Sequence, residues 1–262
     1  MTPVSNPAWI YEKNQVPAMF APWARKLIEL ANPAPGETIL DAACGTGVIA
    51  RLAAPIVGNT GRVVGLDFDP VMLAVAQEIA PEIEWQLGNL QQLPFADGIF
   101  DLIMCHQGLQ FLPDRAAGLR EMHRVMHSGG RLVLGVWTEL AKCPGQAAIF
   151  GALGKAVGKD MSQPPPWSLA DGERLRALVA SAGFKNVETT TTSLIATYPS
   201  ARRFVEIIIE GSSKLTRQVF EQIPIERRAA LVDEAVDGLR QYETGAGFQV
   251  PNESRLLVGC KG

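Results

Sequence analysis

The chain has 262 residues, 47% of them hydrophobic and 19% charged, and its 24 Lys and Arg against 27 Asp and Glu leave a net charge of −3. That is enough apolar material for a buried core, which excludes a disordered chain, and too little positive charge for a nucleic-acid-binding surface. The four cysteines, Cys44, Cys105, Cys143 and Cys260, are far apart with no Cys-x-x-Cys pair, which argues against a zinc site or a disulfide framework.

Met1–Gln15 carries no apolar leader run, and no stretch reaches the roughly 18 apolar residues of a membrane span. The expectation is a soluble, cytoplasmic protein with reduced thiols and a small-molecule partner.

From about Glu37 to Trp137 apolar strands, short turns and amphipathic helices alternate, the signature of an α/β fold with a mostly parallel sheet. Strands are predicted at Thr38–Ala43, Arg62–Asp67, Glu82–Leu87, Phe100–Cys105 and Gly130–Trp137, with helices near Gly47–Val57, Pro70–Ala80 and Asp114–Met126. Pro70 marks a helix start and Ser128-Gly129-Gly130 a stop. Thr138–Ser168 reads as a loop-and-helix segment, Leu169–Ala182 as a helix, Lys185–Tyr198 as a strand and Ser200–Tyr242 as largely helical. Ser254–Cys260 reads as the last strand. The whole of 1–262 is expected to be one domain, with 1–30, 139–168 and 199–245 as cap or lid segments over its core.

The most informative stretch is Ile39-Leu40-Asp41-Ala42-Ala43-Cys44-Gly45-Thr46-Gly47, a strand running through a glycine turn into a helix. Gly45 and Gly47 let the backbone turn sharply and approach a ligand. The Gly45-x-Gly47-x-x-Ala50 spacing also satisfies a dinucleotide fingerprint, but a carboxylate at Asp41 opposes a pyrophosphate and suits the ammonium and sulfonium of S-adenosylmethionine (SAM). Asp67, closing the strand Val63-Val64-Gly65-Leu66-Asp67 twenty residues beyond Gly47, stands where a ribose-binding acid is expected.

With Asp41–Gly47, Val63–Asp67, Gly88–Phe95 and Arg124–Trp137, the chain resembles class I SAM-dependent methyltransferases of the ubiquinone/menaquinone-methyltransferase-like group. The resemblance is carried by motifs from about Ala18 to Trp137 and by layout alone beyond. It implies a Rossmann-like, seven-stranded sheet, parallel except for one reversed strand, with helices on both faces and a helical cap. It places Asp41, Ala43, Gly45 and Gly47 in the cofactor motif, Asp67 on the ribose hydroxyls, Phe68 and Met72 beside the adenine, and Asn89 and Leu90 in the adenine loop. Asn89 stands where many relatives have aspartate, so its amide oxygen accepts without charge assistance. The loop from Cys105 to Phe111 is implied to touch the methionine part and face the acceptor. It lacks the Pro-Pro-aromatic motif of adenine amino-methylases, which makes a nucleic-acid substrate unexpected.

Direct methyl displacement needs in-line positioning and exclusion of water, plus a base where the acceptor is a phenol, hydroxyl or carbon acid. His106 is the only histidine on the predicted active-site loop and is the candidate base; packing against the cap is the alternative. His123 and His127 lie four apart on a predicted helix without a third ligand, so no metal is expected. Cys44 reads as a small filler. Trp9, Tyr11, Met19, Phe20, Trp23, Trp167, Phe204 and Phe248 are core or acceptor-pocket candidates, and Arg202-Arg203 an anion contact or a solvated helix start.

The leading expectation is an O- or C-methyltransferase of a small, apolar or aromatic metabolite. A protein that binds SAM without transferring its methyl group stays open, an NAD-linked dehydrogenase is disfavoured, and the protein is a monomer or a homodimer.

Overall fold

The computed structural model describes residues 6–162, 164–211 and 214–262. In chain order the helices are α1 (Pro7–Ile10), α2 (Ala21–Ala31), α3 (Val48–Val57), α4 (Pro70–Ile79), α5 (Arg115–Val125), α6 (Pro144–Val157), α7 (Gly172–Ser181), α8 (Ala201–Glu210), α9 (Lys214–Glu221) and α10 (Ile225–Asp237). The strands are β1 (Thr38–Ala42), β2 (Arg62–Asp67), β3 (Glu84–Leu87), β4 (Phe100–His106), β5 (Met126–Trp137), β6 (Lys185–Tyr198), β7 (Glu243–Thr244) and β8 (Gly247–Cys260). A ten-residue π-helical run, Tyr11–Phe20, follows α1.

The chain divides into two compact units. The larger comprises Ala21–Thr138, Pro165–Thr192 and Ser254–Gly262; the smaller comprises the described residues of Met1–Phe20, Glu139–Pro164 and Ser193–Glu253. The cap segments expected at 1–30, 139–168 and 199–245 include residues 1–5, 163 and 212–213, which lie outside the described residues.

The sheet order is β3-β2-β1-β4-β5-β8-β6, with β7 paired only to β8. Strands β3, β2, β1, β4 and β5 are mutually parallel and β8 runs antiparallel to β5. In β1 and β4 the run is apolar on both faces, with Ile39, Leu40, Leu102, Ile103 and Met104 fully buried, as a central parallel strand requires. On one face the core continues through Leu119, Met122 and Val125 of α5 and Leu175 and Val179 of α7.

Helix starts follow local chemistry. The carboxylates of Asp69, Asp114 and Asp171 accept from the first-turn amides of Val71, Ala117 and Glu173, capping α4, α5 and α7.

Two strand starts differ most from expectation. β5 begins at Met126, directly after α5, because Met126 pairs with Phe100 across an irregularity in register; Ser128-Gly129-Gly130 lies inside the strand, with Gly129 at φ +83°. The Lys261 ammonium donates to the carbonyls of His123 and Met126 at 2.8 and 2.9 Å, closing the helix end. β8 starts at Gly247 rather than Ser254, because a turn through Gly245 and Ala246 folds it onto β7 and adds an eighth short strand. Since α5 ends at Val125, His123 and His127 do not share a helix: His123 packs edge-on against Phe184 at 5.1 Å, and His127 is exposed in β5.

In the smaller unit Phe204 is buried between Tyr198 and Phe248, with ring centroids at 5.0 and 5.2 Å, and Gln15 donates to the carbonyl of Ile207. Arg202 and Arg203 pair with Asp233 and Glu206, so they belong to the helix surface and not to an anion site.

Candidate functional site

The ends of β1 and β2 and the start of α3 are tied together by four hydrogen bonds. Cys44 N–H donates to the carbonyl of Leu66 (3.0 Å), Gly47 N–H to the carbonyl of Cys44 (2.8 Å), Gly45 N–H to Asp67 (2.8 Å) and Ala50 N–H to Asp41 (3.0 Å). Gly47, the N-cap residue of α3, has no side chain with which to cap it; Asp41, reaching across from β1, does so instead.

The sequence reading of Asp41 as a direct ligand contact is therefore refined. Its side chain is 1% exposed and engaged as a helix cap. Burial, with Asp67 adding repulsion, raises its pKa from 3.8 to about 7.

This has a measurable consequence. A carboxylate whose folded-state pKa is raised binds a proton in the folded protein that the unfolded chain has released, so its contribution makes stability fall as pH rises from about 4 to about 7. Asp41→Asn, whose amide oxygen can still accept from Ala50, is expected to flatten that decline in urea unfolding midpoints; parallel profiles would remove Asp41 as the titrating group.

Asp67 is 6% exposed and uses both oxygens on backbone, Oδ2 on Gly45 and Oδ1 on Asp69 (2.9 Å). Its pKa is also raised, chiefly by burial. Beside it the apolar faces of Phe68 and Leu87 stand open, 76% and 54% exposed, with Val71 also exposed and Met72 half-buried. A flat aromatic group can be sandwiched there without displacing core residues.

The turn amides at 44, 45 and 47 are thus spent internally, and two buried carboxylates flank them. A diphosphate finds these three amides already engaged and meets Asp67 and a partly ionised Asp41, whereas a cationic nucleoside is drawn to the same acids. The residues present fit SAM on this count.

Other expected positions behave differently. Ala43 holds φ +59°, and its methyl is in the space a Cβ on Gly108 would need, which couples the glycine turn to the loop after β4. Asn89 is exposed, its side chain accepting from Gln91 N–H at 2.9 Å. Leu90 and Cys105 both have side chains in the hydrophobic core, so a cofactor would meet their backbone. Burial pushes the Cys105 thiol up to about 12. The Cys44 thiol is likewise raised by burial, in keeping with a filler.

The segment after β3 is clamped by Arg124, which donates to the carbonyls of Leu93 (3.0 Å) and Phe95 (2.8 Å) and pairs with Asp97 and Glu121. Glu121 in turn accepts from Leu93 N–H.

The expectation that His106 is a general base is revised. Its ring packs beside Trp23 and Trp137, with centroids at 6.3 and 6.4 Å, and over Gly135, where a Cβ would stand 2.5 Å from Cδ2. Burial lowers its pKa to about 3, leaving a neutral imidazole with little basicity. The neighbouring Gln107, at φ +57°, is held by Ser254 Oγ (3.1 Å), the Trp137 N–H (3.2 Å) and Gln110 (2.5 Å).

One residue of this site escaped the sequence reading. Trp85 pairs in register with Gly65, and its indole fills the space that a Cβ on either Gly47 or Gly65 would occupy. Its Nε1–H donates to the carbonyl of Ala80 at 2.8 Å. Glycine at 47 thus serves the indole beneath the turn as much as any ligand above it. A large aromatic beside a mid-strand glycine was the available signal.

Residues 40–134 match the family described as "Methyltransferase domain". The chain is 32% identical over 184 residues to the ubiquinone/menaquinone biosynthesis C-methyltransferase UbiE of Klebsiella pneumoniae, a match covering 63% of this chain and 73% of the relative. It is 40% identical over 114 residues to the demethylmenaquinone methyltransferase of Bacillus licheniformis, covering 42% of this chain and 49% of the relative, about half its length. The crystal structure of the YcgJ protein of Bacillus subtilis shares the fold, with a TM-score of 0.61 at 18% identity over 91% of this chain and 97% of that one. A glycine turn flanked by Asp41 and Asp67, on a sheet of this order and with these relatives, means that the chain belongs to the class I SAM-dependent methyltransferases of the ubiquinone/menaquinone-methyltransferase-like group.

Proposed function

We propose that the enzyme methylates oxygen or carbon of a small apolar or aromatic metabolite by direct displacement. The observation that carries the cofactor assignment is the pairing of two buried acids with a turn whose amides are already hydrogen-bonded. When bound, SAM supplies an electrophilic methyl group on a sulfonium. Asp67 is proposed to hold the ribose hydroxyls through its remaining lone pairs, and Phe68 and Met72 to flank the adenine. Asn89 is proposed to accept from the adenine, with Gly45, Gly47 and Ala43 setting the turn and Asp41 balancing the cation.

The reacting atoms need alignment at about 3–3.5 Å and a dry surrounding, which is positioning work that requires no covalent intermediate. Support for an apolar or aromatic acceptor comes from the named activities of the two relatives, which act in quinone biosynthesis or on demethylmenaquinone. The segments at 1–30, 139–168 and 199–245 are proposed to select the acceptor. Among the described residues no helix is long and apolar enough to cross a membrane.

Calorimetry with SAM, S-adenosylhomocysteine and NAD tests the cofactor site: NAD binding without SAM binding would end the proposal. A labelled-methyl screen over small quinols, phenols and aliphatic metabolites tests the acceptor, and label found only on nitrogen would overturn the O- or C-assignment. With His106 held near pKa 3, the kcat–pH profile is expected to keep its shape between pH 5 and 8 in His106→Ala. A limb in that range that vanishes in the variant would restore His106 as the base.

A further inference from the structure

Within the larger unit, Pro113, Asp114, Arg115, Ala116, Leu169, Arg174 and Leu178 surround a cavity of about 270 Å³. Its charged lining is unbalanced. Arg115 donates to the carbonyl of Gln110 (3.2 Å) and to Ser168 Oγ (2.7 Å), both neutral, and its Nε is buried without a hydrogen-bond partner among the described residues. Neither Arg115 nor Arg174 has an ion-pair partner among the described residues. Burial and the charge of Arg174 together lower the pKa of Arg115. The one carboxylate in the lining, Asp114, is committed elsewhere: its Oδ1 accepts from Ala117 N–H, and Oδ2 lies 3.9 Å from Arg120.

Two guanidinium groups thus line one cavity, Arg174 exposed and Arg115 half-buried and held in place by neutral acceptors, and an anion between them is attracted to both. Guanidinium groups match the oxygens of phosphate or carboxylate in a bidentate manner.

We propose that this cavity is an anion subsite that takes one phosphate or carboxylate group between Arg115 and Arg174, distinct from the glycine turn and independent of the methyl-transfer reading. Ser168 orients Arg115 within it: its hydroxyl donates to the carbonyl of Pro165 (2.7 Å) and accepts from the guanidinium.

The test is thermal unfolding of the full chain in sodium phosphate against sodium chloride at matched ionic strength. A parallel arm measures co-sedimentation with phosphatidylglycerol vesicles, to tell a free phosphate from a lipid headgroup. A specific rise in Tm with phosphate, or vesicle binding, is expected for the wild type, and Arg174→Gln is expected to weaken either by about tenfold or more. In chloride alone Arg174→Gln is expected to be as stable as the wild type or more so, because a repulsion has been removed. Arg115→Lys, which keeps the charge but loses the fork, gives an intermediate loss. If neither probe acts beyond chloride, or if Arg174→Gln and Arg115→Lys respond like the wild type, the subsite does not exist.

Discussion

Gly47→Ala is expected to lose SAM affinity by a factor of a hundred or more. At φ +82° an alanine costs about 1–2 kcal/mol of backbone strain, and its methyl would also meet the Trp85 ring. The ring cannot easily yield, because Nε1 is fixed on the carbonyl of Ala80 and the same indole lies against Gly65. Overpacking of this kind costs about 1–3 kcal/mol. If α3 shifts to relieve it, the Asp41–Ala50 and Asp67–Gly45 hydrogen bonds shift as well, and those bonds shape the turn. Adding Trp85→Leu removes the steric part and leaves the torsional part, so the double variant is expected to recover some affinity but not all of it. Calorimetric titration of the two single variants and the double variant, alongside thermal unfolding, measures the coupling. Gly47→Ala with wild-type affinity, or strictly additive losses, would show that the indole does not govern the turn.

Asp67→Asn is expected to weaken SAM binding by about a hundredfold while leaving a folded protein. The asparagine keeps one acceptor oxygen, so either Gly45 or Asp69 loses its partner and faces an amide N–H₂ group. Hydrogen bonds to a charged group are worth about 1.5–3 kcal/mol each, and a tenfold change corresponds to 1.4 kcal/mol. Losing one such bond from the turn, together with the charge proposed to receive the ribose hydroxyls, accounts for two factors of ten. S-Adenosylhomocysteine should suffer a similar loss, since it carries the same ribose. Affinity within about threefold of the wild type for both ligands would remove Asp67 from the ribose site.

The glycine turn and its acids were legible because the chemistry is local. Asp41, Gly45 and Gly47 fall within seven consecutive positions, and strand-turn-helix periodicity places such residues at one strand end without knowledge of the rest. Asp67 was reachable for the same reason, as the last residue of an apolar run paired in register next to β1. Trp85 was not, because its meaning comes from pairing with Gly65 and from lying under a turn almost forty positions earlier. The side-chain packing of His106, Leu90 and Cys105 was hidden for the same reason. A loop position says that a residue is near a site, but only packing says whether its side chain faces the ligand or the core.

The sequence by itself determined the α/β class, the positions of the first five strands along the chain and the location of the cofactor turn. These depend on hydrophobic period and on the torsional freedom of particular glycines, both properties of short segments. Tertiary structure alone decided the protonation and contacts of the groups in that turn. Asp41 rises toward pKa 7 and His106 falls to about 3 because neighbours distant in the chain strip water from them, and desolvation depends on everything that surrounds a group and not on what precedes it in the chain.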